Sequence, residues 1–319
     1  MTHAKTLKKA IIPAAGRGTR QFPASRAVRK EFFPIIDVDG VTRCGMQFIV
    51  AEALSAGIDE ICVVVAPGEE DFYRSYFRGL TPDEERQYAS KPWILKEAEI
   101  LKDMGERLSF RTQHQQLGLG HSVWCARDFA GGDPVMILLG DHLYLSNQPE
   151  SCAKQAADAW KHADGSVSSV RAVSEEHLHL FGVIRTESTD GPPWKVAEIF
   201  EKPEVEFARQ NLQHPSEEDR PYLVFFGIHV MDGDVFDCLD EMIASNTKDK
   251  GEYQLTVAQS MLASRGNYWA APVDGVTYDI GVPRGLAATQ AAMTAVGPFR
   301  KDAEASIAGL PERYSKSVI

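Results

Sequence analysis

Short apolar runs rich in Ile and Val recur along the first half of the chain, at Ala10 to Ala14, Ile61 to Ala66 and Val135 to Leu139. Each is too short for a helix and is bounded by Gly, Pro or Asp, which reads as a buried strand. Helical patterns lie between them. Met46 to Ala56 is predicted to be a helix ending at Gly57, Glu69 to Phe77 an amphipathic helix, and Pro82 to Met104 a long polar one. Alternation of strand and helix predicts βαβ units, and hence a mostly parallel sheet covered by helices on both faces. Ligands meet such sheets at the carboxyl ends of the strands.

From about residue 165 the pattern changes to closely spaced strands, predicted at Ser166 to Val173, Val183 to Arg185, Val196 to Glu201 and Tyr222 to Met231. They predict a more antiparallel half, the acceptor side of a cleft. Helices follow at Val235 to Ser245 and Tyr253 to Ala263, then a strand at Tyr268 to Pro272 and a last helix at Pro283 to Ala295. The segment Gln210 to Arg220 is the expected mobile loop, and there is no internal repeat.

A chain of 319 residues with 44% hydrophobic and 25% charged residues has the makings of a folded α/β protein with a sizeable core. Its net charge of -11 opposes binding to a phosphate backbone, so no nucleic-acid partner is expected. A phosphorylated small molecule must be met by a local basic cluster. The five cysteines show no C-x-x-C pair, which fits a reducing compartment rather than a zinc site or a disulfide framework. Met1 to Lys9 is followed only by the short run Ala10-Ile11-Ile12, so neither a signal peptide nor a membrane span is expected, and the location read from the sequence is cytoplasmic.

The first strand runs into Pro13-Ala14-Ala15-Gly16-Arg17-Gly18-Thr19-Arg20, a small-residue loop where backbone N–H groups can approach an anion. A Rossmann fingerprint needs a Gly or Ala where Gln21 stands, and a P-loop needs G-K-[ST], so neither applies. A Gly-x-Gly turn by itself often only connects a strand to the next element. Here Arg20 comes directly after the turn and Lys30-Glu31 closes the same loop, a cluster sized for a triphosphate.

These residues resemble the signature of the nucleotidyltransferases that make nucleotide sugars: G-x-G-T-R at Gly16 to Arg20, then Pro23, Lys30-Glu31 and Pro34. The resemblance runs along nearly the whole chain and is nearest to the bacterial UTP–glucose-1-phosphate uridylyltransferases. Gln113 with Gly118-Leu119-Gly120-His121 matches the base-reading segment, and Leu139-Gly140-Asp141 the strand end that carries a metal-binding aspartate. Phe181-Gly182-Val183 and Glu201-Lys202-Pro203 match sugar-phosphate motifs. Gly251 to Thr256 matches G-(D/E)-x-Q-L-T, and Tyr278-Asp279-Ile280-Gly281 the second aspartate. Three departures stand out: Arg26 replaces a usual Lys, Arg29 a Pro, and Gly140-Asp141-His142 a Pro-Asp pair.

The resemblance implies a Rossmann-like mixed, mostly parallel sheet flanked by helices, the nucleotide-diphospho-sugar transferase type, with a smaller antiparallel sugar-binding part. It implies one domain over residues 1–295, with a nucleotide-binding half at about 8–165 and a sugar-phosphate half at about 166–295, then a tail at 296–319. It implies transfer of a uridylyl group from UTP to glucose-1-phosphate, with Mg²⁺ as cofactor, and a homo-oligomer, dimer or tetramer. Phosphoryl transfer asks the protein for positioning and charge neutralisation, which suits the residue types present. Asp141 and Asp279 would hold the metal, Arg20 the leaving pyrophosphate and Lys30 the α-phosphate or its leaving group. Ala15, Gly16, Gly18 and Thr19 would cradle the triphosphate. Gln113 would pair with the imide edge of uracil, above Gly118. Gly182, Glu201 and Lys202 would take the sugar phosphate.

Both lysines are expected to be partly solvated, and His121, His142, His177 and His179 to be structural or surface residues. Thymine offers the same edge as uracil, so a dTTP-dependent enzyme or another hexose-1-phosphate remains an alternative, and so does a silent regulatory subunit. A regulatory subunit should have lost Lys30, Lys202 or an aspartate, and none is lost.

Overall fold

A computed structural model describes residues 6–215 and 219–310. Its contacts divide the chain into a larger unit, Met1–Gly16 with Ile49–Gly140 and Tyr144–Thr277, and a smaller unit, Arg17–Phe48 with Asp141–Leu143 and Tyr278–Ile319.

The larger unit is built on a nine-stranded sheet. Its strands are β1 (Lys9–Pro13), β2 (Glu60–Val65), β3 (Leu108–Thr112), β4 (Val135–Leu138), β5 (Ser166–Val173), β6 (Gly182–Thr186), β7 (Trp194–Glu201), β8 (Tyr222–Met231) and β9 (Tyr268–Pro272). The spatial order is β3-β2-β1-β4-β8-β5-β9-β7-β6, with β8 also meeting β6. Strands β1 to β4 are mutually parallel; β1, β2 and β4 are apolar on both faces, as strands covered on both sides require, while the edge strand β3 alternates Leu108 and Phe110 with Ser109 and Arg111. Strand β8 runs antiparallel to β4, β5 and β6, and β7 antiparallel to β9 and β6. Strand β9 runs parallel to β5, so the sheet is mixed, and its later half is the more antiparallel one.

Most predicted elements recur within a residue or two. The helix Gly45–Ser55 stops as expected, with Gly57 at φ +88°, a left-handed conformation that favours glycine. The segment Pro82 to Met104 is instead two helices, Pro82–Tyr88 and Pro92–Gly105. Pro92 has no N–H to give to a preceding turn, and Lys91 before it adopts φ -122°, ψ 78°, outside the helical region. The first of the pair is closed by a capping box in which the Thr81 hydroxyl accepts from the Glu84 N–H and the Glu84 carboxylate accepts from the Thr81 N–H.

The expected mobile loop Gln210 to Arg220 begins inside the helix Val205–Asn211, and residues 216–218 lie outside those described. Beyond the helix Pro283–Val296, the tail contains a further helix, Arg300–Ala308, while residues 311–319 lie outside those described. Among the described residues no helix is long and apolar enough to cross a membrane.

The main core of the larger unit lines one face of the sheet with Ile11, Val64, Ile137, Val170 and Leu223. It is covered by the helices Leu119–Trp124, Asp234–Ala244 and Leu255–Ser264. A second cluster, Val173, Leu178, Val183, Tyr222 and Val224, packs with Ala208 and Leu212. In the smaller unit a ribbon, Pro34–Ile36 paired with Thr42–Cys44, is pinned by Arg43, which reaches Asp37 at 2.5 Å and Asp39 at 2.9 Å. The Ile36 N–H donates to Gln290 Oε1 (3.1 Å), fastening the ribbon to the helix Pro283–Val296.

Candidate active site

In the smaller unit two carboxylates and two cations, far apart in sequence, converge. Asp141 lies two residues past the Leu139 that follows β4. The backbone reaches it through Gly140, where a Cβ would stand 2.3 Å from the Pro13 carbonyl oxygen. The Ile280 N–H donates to the Asp141 carbonyl (2.8 Å), which brings Asp279 beside it. Gly281 completes the approach: its N–H donates to Asp279 Oδ1 at 2.8 Å. A Cβ there would lie 2.5 Å from Asp141 Oδ2 and 2.8 Å from Asp279 Oδ1. Asp141, His142 and Asp279 each offer a ligand atom, all within 4.8 Å of one another.

Lys30 Nζ sits 2.5 Å from Asp141 Oδ2 and 3.5 Å from Glu31 Oε1. Arg20 approaches Asp141 at 3.8 Å and Asp279 at 3.5 Å. The lysine side chain is 13% accessible, so the expectation that it is solvated fails; the chain folds it against two buried carboxylates. Lys202 is half-exposed, as expected.

Burial opposes the charges of Asp141, Lys30 and Glu31, and its balance against their partners decides each outcome. For Asp141 the hydrogen bond to His142 and the charge of Lys30 outweigh burial and hold its carboxyl far below the usual range. For Lys30, Asp141 and Glu31 outweigh burial and raise it above its ordinary value. Burial wins at Glu31, pushing the carboxyl up to about 7 against the pull of Lys30. The centre therefore carries an ionised Asp141 against a charged Lys30 at neutral pH.

The loop that leads in behaves as its glycines require. Gly18 adopts φ +61°, and a Cβ there would come within 3.3 Å of Ser25 and 3.5 Å of the Lys30 side chain. Thr19 and Arg20 follow in a single 3₁₀ turn whose Gln21 is buried and donates to the Ile280 carbonyl (2.8 Å). This bond ties the loop to the residue directly after Asp279.

The base-reading candidates lie in the larger unit. Gln113 continues β3, its N–H donating to the Val65 carbonyl (2.9 Å), and its side chain is buried. Its amide nitrogen donates to the Gly118 carbonyl at 3.1 Å and lies 3.0 Å from His121 Nδ1. Gly118, at φ +110°, passes so near Tyr253 that a Cβ would be 2.8 Å from that residue's carbonyl oxygen. Gln116 Nε2 donates to the Ala15 carbonyl (2.7 Å), joining this segment to the start of the first-strand loop.

The sugar-phosphate candidates are in the same unit, at the facing ends of β6 and β7. Gly182 pairs with Glu201 across the ladder, and a Cβ at Gly182 would lie 3.2 Å from Glu201 Oε2 and 3.5 Å from the Phe225 ring. Lys202 holds φ +50°, a left-handed conformation that costs a non-glycine residue strain; its N–H donates to the Phe181 carbonyl (3.2 Å).

Arg20, Lys30, Asp141 and Asp279 thus meet in one unit, with Gly18 and Thr19. Ala15, Gly16, Gln113, Gly118, Gly182, Glu201 and Lys202 belong to the other. Four residues of these surroundings had no site role in the sequence reading: Gln21, His142, His121 and Gly281. The signals available were the position of His142 directly after the aspartate and the places of His121 and Gly281 at the ends of the matched motifs Gly118 to His121 and Tyr278 to Gly281.

Two carboxylates, Asp141 buried and Asp279 half-buried, held by cations beside a glycine turn define a class of phosphate-handling α/β enzymes, and the comparison with known proteins gives the class its name. The chain belongs to the nucleotidyl transferase family, whose model matches residues 9–295. Within it, the chain is 31% identical over 287 residues to the UTP--glucose-1-phosphate uridylyltransferase of Bacillus subtilis, covering 89% of this chain and 90% of that one. It is 32% identical over 288 residues to the enzyme of that name from Staphylococcus epidermidis, covering 89% and 91%. Among solved structures it resembles UTP-bound UGPase from Acinetobacter baumannii, with TM-score 0.77, 25% identity and coverage of 96% and 100%. It also resembles a UDP-glucose pyrophosphorylase complexed with UDP-glucose, with TM-score 0.72, 26% identity and coverage of 90% and 98%.

Proposed function

We propose that the chain transfers the uridylyl group of UTP to glucose-1-phosphate, giving UDP-glucose and pyrophosphate. The relatives named for this reaction match along most of its length. The observation that carries the reading is the convergence of Asp141, Asp279, Lys30 and Arg20 in a member of this family. An oxygen of the sugar phosphate attacks the α-phosphorus and forms a new P–O bond. The bond from that phosphorus to the oxygen bridging to the β-phosphate breaks, and pyrophosphate leaves with the electron pair.

The donor set of Asp141 and Asp279 suits a hard divalent cation, and the missing Cβ of Gly281 is what lets the two carboxylates close on one point. On this reading Asp141 and Asp279 would hold Mg²⁺, which would supply charge neutralisation to the phosphates. Lys30 keeps Asp141 ionised and lies ready for the α-phosphate and its leaving group. Arg20, 60% exposed and held loosely between the two aspartates, is free to turn to the β- and γ-phosphates. Ala15, Gly16, Gly18 and Thr19 supply backbone N–H groups to the triphosphate. Gln113 reads the base over Gly118, and Gly182, Glu201 and Lys202 receive the sugar phosphate, with the strained Lys202 backbone aiming its ammonium.

Residues 1–295 act as one nucleotidyltransferase domain with 296–319 as a tail, in a cytoplasmic homo-oligomer, dimer or tetramer. The five free thiols agree with a reducing compartment. Size-exclusion chromatography with light scattering checks the oligomer, a monomer counting against it. The reaction is tested by pyrophosphate release across a grid of nucleoside triphosphates and hexose-1-phosphates with Mg²⁺. UTP with glucose-1-phosphate should give the highest kcat/KM; a higher value for dTTP or CTP overturns the assignment.

A further inference from the structure

A glutamine carries an acceptor oxygen and a two-hydrogen donor on one planar amide, and it reads a base only if the two cannot exchange places. Two contacts settle this at Gln113. The Gly118 carbonyl, 3.1 Å from Nε2, can only accept, so the amide nitrogen faces it. The same nitrogen lies 3.0 Å from His121 Nδ1, which must then accept its second hydrogen, leaving the imidazole neutral with its proton on Nε2.

His121 is itself held. Its ring lies near-parallel to those of Trp124 (5.7 Å, 26°) and Tyr253 (6.3 Å, 26°). The chain around it is strapped down where the Tyr253 N–H donates to the Leu117 carbonyl (2.7 Å) and the Gly120 N–H to the Tyr253 carbonyl (2.8 Å). Burial lowers its pKa, which keeps Nδ1 an acceptor. Gln113 Oε1, by contrast, meets no donor among the described residues and is not sealed from solvent.

We propose that His121 is a positioning residue for base selection: it locks the Gln113 amide with its carbonyl oxygen outward. The site then accepts a pyrimidine that presents N3–H, uracil or thymine, and rejects cytosine, whose N3 bears a lone pair. The inference rests on the reading of Gln113 as the base reader and deepens it. The N3–H of uracil donates to Oε1. For cytosine the amide would have to turn, setting Oε1 against the Gly118 carbonyl and losing both bonds.

The test measures kcat/KM for UTP and for CTP, or the inhibition constant of CTP where turnover is too slow. The proteins are the wild type, Gln113→Ala, His121→Leu, His121→Asn and the double variant Gln113→Ala/His121→Leu, each with a thermal melt. His121→Leu should lower the preference for UTP over CTP about tenfold, mainly through the KM for UTP, the scale of one or two lost hydrogen bonds. His121→Asn presents Oδ1 near the place of Nδ1, accepts the same hydrogen and should keep the preference within about threefold of wild type. In the Gln113→Ala background, His121→Leu should change the preference no further. If Gln113→Ala lowers the preference and His121→Leu does not, or if Asn fails as badly as Leu, His121 is not the positioning residue. If Gln113→Ala leaves the preference unchanged, the base-reader assignment itself falls, and the inference with it.

Discussion

Gly281→Ala is a sharp test of the acidic centre, because it adds one carbon at the place where the two carboxylates meet. The added Cβ would stand 2.5 Å from Asp141 Oδ2 and 2.8 Å from Asp279 Oδ1. An ordinary C···O contact is about 3.3 Å, so the two oxygens must retreat by about 0.8 Å and about 0.5 Å. Ligand distances at a metal tolerate about 0.2 Å, and a misplacement of about 1 Å at a reacting centre costs about a hundredfold. We expect kcat to fall about a hundredfold, equivalent to about 2.7 kcal/mol in the barrier, with a higher Mg²⁺ requirement. The fold should survive, because the atoms that must move are the ends of side chains and Gly281 has no left-handed φ to strain an alanine. The assay is initial-rate kinetics over a Mg²⁺ series beside a thermal melt. A kcat within threefold of wild type at unchanged Mg²⁺ dependence would refute the reasoning, and so would a melting temperature that collapses in step with activity.

The remaining predictions use the same measurements. Asp141→Asn and Asp279→Asn should each lose about a hundredfold or more in kcat while remaining folded, and full activity of either at saturating Mg²⁺ would remove that residue from the site. Lys202→Ala should raise the KM for glucose-1-phosphate and leave the melting temperature nearly unchanged, since the side chain is half-exposed; an unchanged sugar-phosphate KM with a raised nucleotide KM would show that the later half is not the sugar side. Lys30→Ala should lower kcat and also stability, by about 3–5 kcal/mol, because it leaves the buried Asp141 and Glu31 carboxylates without their cation; an unshifted melt would contradict the buried pairing. Gly105→Ala should cost about 1–3 kcal/mol of stability without touching kcat, since its Cβ would meet the Phe77 carbonyl oxygen at 2.2 Å, and an unaltered melt would mean that the helix sits elsewhere.

The sequence by itself determined the local elements and the chemical inventory. Runs such as Ala10 to Ala14 and Val135 to Leu139 announce buried strands through their apolar residues, and Gly57 ends its helix because only a residue without Cβ takes the required turn cheaply. The helix break at Pro92 was legible too, since a proline inside a helical pattern lacks the N–H the turn needs; the long polar pattern around it hid the signal. Candidate site residues were visible where function demands a residue type at a fixed spacing, as at Gly16 to Arg20 or Glu201-Lys202.

Tertiary structure alone decided which of these groups meet and how deeply each is buried. Lys30 and Asp141 are 111 residues apart, and Gln21 and Ile280 259 apart, so no local period records either pair. The order of strands in the sheet is set in the same way, by which apolar faces close on one another. His121 reads as an ordinary histidine until its ring is placed 3.0 Å from the Gln113 amide, and Gly281 as an ordinary glycine until two carboxylates converge on its missing side chain. Propensity and periodicity are properties of neighbours along the chain. Charge pairing, desolvation and steric exclusion depend on neighbours in space, and it is these that turn two aspartates, a lysine and an arginine into a site.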